Sequence, residues 1–142
     1  MQLKSALLAL VAALAVACAS PEKPIDGSRN DVEALEQHVQ QRAARVLAPG
    51  ERLAVEITDL DRAGRPEPWR PGLGNVRVVR DVYPARIVLS FRLTGAGGAA
   101  VKQGERALSA PLPVAAAAPY GEDPLRYEKA LLDDWLEREL RR

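Results

Sequence analysis

The sequence predicts an α+β fold: a small antiparallel sheet of three to four strands, with an N-terminal and a C-terminal helix packed on one face. Three observations predict it. Apolar residues recur at three- and four-residue steps across 31–47. They alternate with polar residues in 53–60 and again in 86–93. A second helical pattern closes the chain after Asp123-Pro124. The chain has 142 residues, 47% hydrophobic and 27% charged, a balance that suits one small globular domain. A single cysteine and a single histidine exclude an intramolecular disulfide framework and a Cys/His zinc site.

The first helix is expected from about Asp31 to Leu47. Ser28 or Asn30 is placed to cap it, and Asp31 or Glu33 to favour its first turn. Val32, Leu35, Val39, Ala43 and Val46 form its apolar stripe, and Pro49-Gly50 ends it. Leu53 to Leu60 reads as a strand with Leu53, Val55 and Ile57 on one face. Residues 62–75 form a long Pro/Gly/Arg-rich loop with Trp69 in the middle, and loops of that length are usually functional or disordered. Val76 to Arg80 is a short strand. Arg86 to Leu93 is the clearest strand, with Ile87, Leu89, Phe91 and Leu93 on one side. The glycine-rich turn 94–98 brings back Ala100 to Leu108 as its antiparallel partner, with Gly104 as a weak point or a bulge. Ser109 to Pro119 reads as a Pro/Ala loop. In the last helix Asp123 is the expected N-cap, and Leu131, Leu132, Trp135 and Leu136 are the expected core face.

Ahead of this domain, Met1 to Ala17 carries one charge, Lys4, followed by an unbroken Ala/Leu/Val run from Ala6 to Ala17. That run is shorter than the roughly 20 residues a membrane-spanning helix needs, and it suits a signal-peptide core. Cys18 follows at once. Leu14-Ala15-Val16-Ala17-Cys18 resembles the lipobox of bacterial lipoproteins, with its leucine one place early. In such proteins the cysteine is lipidated and becomes the new N-terminus, and Ala19 in place of Asp favours the outer membrane. Ala15-Val16-Ala17 also fits cleavage for simple secretion into the periplasm. The expected organisation is a signal peptide over 1–17, a lipid-anchored tether over 18–29, and one domain over 30–142. Without Lys4 the chain has 19 basic and 19 acidic residues. That neutrality argues against nucleic-acid binding. The partners expected are the membrane, through lipidated Cys18, and another envelope protein.

From Ala54 onward the chain resembles a family of small proteobacterial envelope proteins catalogued as domain of unknown function 3016. The residues that carry the resemblance are Val55-x-Ile57-x-Asp59-Leu60-Asp61 with Gly64, Pro68-Trp69, Asn75-Val76-Arg77-Val78 with Arg80, and Pro84-x-Arg86-Ile87-x-Leu89. Gly104-Glu105 and Leu108-Ser109 follow. The block Pro124-Leu125-Arg126-Tyr127-Glu128-Lys129-x-Leu131-Leu132-Asp133-Asp134-Trp135 is the most specific. Members of the family often begin the mature region with an extra strand, for which residues 19–30 are too short and polar. The resemblance implies the fold and the compartment, and no activity.

No catalytic constellation or cofactor motif emerges from the residues. Asp59 and Asp61 at the end of a strand suggest oxygen ligands for a hard cation, as a cation-dependent hydrolase would use. The competing reading pairs them with the turn backbone and with arginine. His38 lies on the flank of the first helix with no serine in a nucleophile motif, and reads as a surface residue. Seven arginines against Glu67 and Asp81 give residues 62–92 a balance of +5. Arg70, Arg80 and Arg86 are candidates for holding an anionic partner or lipid headgroup. Trp69 is either an interface anchor or a cap folded back on the core. The function expected is a non-enzymatic interaction or assembly module. A small-ligand or anionic-lipid binding domain is the first alternative, and a cation-dependent hydrolase using Asp59 and Asp61 the second.

Overall fold

The computed structural model describes residues 28–72, 76–80, 82–109 and 114–141. The expected signal peptide, Cys18 and the expected tether up to residue 27 lie outside the described residues, as do Asn75 and Asp81.

Helix α1 spans Arg29–Ala43. The Ser28 hydroxyl accepts from the Asp31 N–H, and the Asp31 carboxylate accepts from the Ser28 N–H, a reciprocal cap that satisfies two otherwise orphaned donors. Leu35, Val39 and Ala43 are buried. The helix ends four residues before the expected boundary. At 44–47 the chain closes turns onto Arg42 and Ala43 carbonyls, and Val46, expected on the stripe, is exposed.

Strand β1 (Arg52–Asp61) pairs antiparallel with β4 (Arg86–Thr94), which pairs antiparallel with β5 (Ala100–Ser109). Ile57 faces Leu89 and Asp59 faces Val88, so Thr58 is the extra residue of a bulge. The bulge inverts the alternation. Leu53 and Ile57 point inward before it and Leu60 after it, which turns Asp59 and Asp61 to the outer face. A second bulge falls at Val101, between the Leu93–Lys102 and Thr94–Ala100 pairs, and not at Gly104. Gly104 lies across from Phe91, where a Cβ would stand 3.0 Å from Arg106 Nη1. Its bare backbone leaves room for Arg106 to lie over the Phe91 ring at 5.0 Å.

The loop expected over 62–75 contains a short strand, β2 (Arg65–Pro66). It pairs with β3 (Arg77–Val78), which is all that forms of the strand expected at 76–80. The described part of the Pro/Ala stretch, expected as a loop, forms α2 (Val114–Ala117) and a 3₁₀ turn (Ala118–Tyr120), as its run of alanines favours, and Gly121 ends it. Helix α3 spans Arg126–Leu140. Its N-cap is Leu125, without a side-chain cap, and Asp123, expected there, lies two residues upstream in the preceding turn. The Asp123 carboxylate accepts from Leu125 N–H and its carbonyl from Arg126 N–H.

Both helices cover the inner face of the three-stranded sheet. Leu35, Val39, Leu131, Leu132, Trp135 and Leu136 pack on Leu53, Ile57, Leu60, Ile87, Leu89 and Phe91. Trp135 meets Phe91 edge-on, with centroids 5.5 Å apart. The helices run side by side in the same direction. Arg62 reaches Asp31 and Pro124 near their starts, and His38 meets Asp133 midway. Two α1 side chains also cover the free edge of β1: Glu36 accepts from Ile57 N–H and Gln40 donates to the Leu53 carbonyl. Among the described residues no helix is long and apolar enough to cross a membrane.

Candidate functional site

The Trp69 loop is built on a buried carboxylate. Glu67 is nearly inaccessible, and its two oxygens lie 3.0 Å from Arg80 Nε and Arg80 Nη2. Arg70 Nε approaches the same carboxylate at 3.6 Å. The Arg70 N–H closes a turn onto the Glu67 carbonyl at 3.0 Å. Trp69 rides on this turn with 71% of its surface exposed. It therefore does not cap the core. Val76, Val79 and Val82 are exposed beside it in sequence. Four of the six exposed large hydrophobic residues among those described thus come from this one segment.

The lobe is tied to the main sheet through residues 62–64. Gly64 has φ of 75°, and a Cβ there would meet the Val78 carbonyl oxygen at 2.5 Å, so only glycine fits between β2 and β3. Its N–H donates to the Tyr83 carbonyl. Arg77 donates to the Gly64 carbonyl. The Ala63 N–H donates to Glu128 of α3 at 2.7 Å. Glu128 is 1% exposed, and its second oxygen has no hydrogen-bond partner among the described residues. Burial pushes its carboxyl above the usual range, against the Ala63 hydrogen bond and the charges of Arg62 and Arg77.

The sequence-predicted residues are thus sorted by the fold. Trp69, Arg70 and Arg80 come together, with both arginines turned onto Glu67. Arg86 stands apart, at the start of β4 opposite Asp61. Asp59 and Asp61 share the outer face of β1. Among the described residues no group of three or more His, Cys, Asp or Glu side chains is placed to hold a metal ion.

A second polar cluster was not apparent from the residues. His38 was expected at the surface, yet its side chain is 11% exposed and its Nε2 lies 2.8 Å from Asp133 Oδ1. Since a carboxylate only accepts, Nε2 carries the proton. Arg42 Nε donates to the same oxygen at 3.1 Å, and the Tyr120 hydroxyl donates to the other. The Tyr120 ring meets His38 edge-on at 5.4 Å. Burial alone would raise the Asp133 carboxyl, but these donors and the Arg42 charge hold it below its usual value. Burial and the Asp133 charge push the Tyr120 phenol well above its usual value. No signal in the sequence links residues 38, 120 and 133. Only the packing of α3 beside α1 makes them neighbours.

Residues 19–138 match the pattern of a family described as protein of unknown function (DUF3016). The chain belongs to that family. The match takes in both the Trp69 lobe and the His38–Asp133 cluster. No curated protein and no solved structure matches the chain significantly.

Proposed function

We propose that this DUF3016 protein is a non-enzymatic envelope lipoprotein that docks another envelope protein through its Trp69 lobe. The observation that carries the reading is Trp69 itself, held out of the core on a turn that the Glu67 contacts with Arg70 and Arg80 brace. A large aromatic that is exposed and preorganised loses little entropy on binding, which is how interface anchors work. Val76, Val79 and Val82 extend the apolar surface. Arg70 and Arg80 serve to position the tryptophan rather than to meet the partner with free charge. Arg86 belongs to the basic surroundings that favour an acidic partner rim.

The envelope location rests on the sequence. The family match begins at residue 19, which leaves the apolar leader and Cys18 outside it. Acylation at Cys18 would anchor the domain firmly, because more than one chain is attached and each buried methylene contributes about 0.8 kcal/mol. Two measurements test the proposal. The intact mass of the membrane-extracted protein should include acyl chains on Cys18, and a mature N-terminus without them contradicts the anchor. A native complex extracted in mild detergent should be lost in Trp69→Ala and kept in Val101→Ala, a substitution at an exposed valine of β5. Equal recovery from both variants contradicts the docking role.

A further inference from the structure

The ends of α1 and α3 border a cavity of about 320 Å³, far from the Trp69 lobe in sequence and built from different elements. Its lining is in two parts. Val46, Leu136 and Leu140 give an apolar wall. Arg42, Arg45 and Arg141 bring three guanidinium groups, against the carboxylates of Asp133 and Glu137. We infer that this cavity binds a small amphiphilic anion, a medium-chain carboxylate whose head meets the arginines and whose chain lies on Val46, Leu136 and Leu140.

Charge complementarity carries the inference. The Asp133 carboxylate is already shared by His38, Tyr120 and Arg42, so little of its charge faces the cavity. Arg45 and Arg141 have no carboxylate partner among the described residues, and both are exposed. Two helix C-termini would ordinarily repel an anion. Here some of those carbonyls are occupied. The Arg42 and Ala43 carbonyls accept from the turn at 45–47. The Glu139 carbonyl accepts from Lys102 Nζ at 3.1 Å. These contacts offset part of the negative helix ends, and Arg45 and Arg141, against the one further carboxylate of Glu137, remain for a ligand.

Shape narrows the ligand. A volume of about 320 Å³ accommodates a short aliphatic chain with its head group, such as an eight-carbon carboxylate. Val46 is 60% exposed, an aliphatic side chain left open at the mouth with apolar neighbours behind it. A bound chain would cover it. His38 and Tyr120 act behind the site, because they hold Asp133 and so fix Arg42 in place.

The probe is octanoate carrying a photoreactive diazirine near its chain end, added to membranes that contain the full chain. Irradiation should label residues around Val46, Leu136 and Leu140. Excess octanoate should reduce that labelling at least tenfold, whereas octanol and octylamine at equal concentration should not. Arg45→Gln combined with Arg141→Gln should weaken labelling by a similar factor. Both positions are exposed, so the fold should survive. Val46→Asp gives a second, independent variant, which places a carboxylate at the mouth and should also abolish labelling. Labelling that octanoate does not displace, or that octylamine displaces equally well, overturns the inference. So does undiminished labelling of either folded variant.

Discussion

Glu128 and Asp133 lie five positions apart on one helix and respond to pH in opposite directions. The Glu128 carboxyl is raised above its ordinary 4.5, so folding favours its protonated form. Its contribution is fully present below 4.5 and is lost as pH rises through the raised value. Glu128→Gln keeps an acceptor for Ala63 N–H and removes the buried charge. It should therefore stabilise the protein at pH 8 by about 1 kcal/mol, with the difference vanishing near pH 4, as thermal melts at the two pH values will show. Asp133 is held below its ordinary 3.8, so its contribution is present above 3.8 and is lost as pH falls through the lowered value. Asp133→Asn leaves His38, Arg42 and Tyr120 without an ionised acceptor. It should cost about 2 kcal/mol at pH 7 and flatten the acid limb of the stability profile. The two tryptophans give the sharpest contrast at this scale. Trp135→Ala should cost about 3–5 kcal/mol, as for any buried aromatic. Trp69→Ala should change stability by less than about 0.5 kcal/mol, which denaturant titration of both variants will check.

At the scale of elements, what could be read in advance was whatever local periodicity encodes. The faces of β4 and α3 follow from spacing alone, and Ile87, Leu89, Phe91, Leu131, Leu132 and Trp135 are buried as expected. The bulge at Thr58 breaks that logic, because period two carried past Ile57 would turn Asp59 and Asp61 inward. Of the β2–β3 pair, β3 lies within the strand expected at 76–80, but β2 and its pairing escaped for a different reason. The two pairs of residues join Arg65 to Val78 and Pro66 to Arg77 across a long gap, and no pattern of two residues signals a strand. Nor does spacing relate Glu67 to Arg80 or His38 to Asp133. Such sites arise from tertiary contact and are invisible to periodicity. A sheet so short is marginal by itself. The backbone amides of β2 and β3 should exchange faster with solvent than those of β4, by at least a hundredfold in native-state hydrogen exchange. Gly64→Ala should loosen the lobe further. The substituent would meet the Val78 carbonyl and occupy a left-handed backbone, a penalty of roughly 1–2 kcal/mol. Its effect should appear in the exchange of residues 65 and 78 before that of the main sheet.

For the molecule as a whole, the fold separates a stable body from a projecting lobe. The two parallel helices and three strands form one continuous core. The lobe hangs from residues 62–64 and adds apolar surface to the outside. The exposed tryptophan, seated on a buried Glu67 that Arg70 and Arg80 meet from the surface, is the feature the proposed docking role uses. The cavity between the helix ends is a separate feature, and its occupant need not affect docking. The most direct test of the docking role places a photo-crosslinking residue at position 69 of the full chain in intact cells, with position 101 as the exposed control. The account predicts one dominant protein adduct from 69, none from 101, and loss of the adduct when Glu67→Gln frees Arg70 and Arg80. A folded, membrane-bound protein that gives no adduct at 69, or the same adducts from both positions, would contradict it.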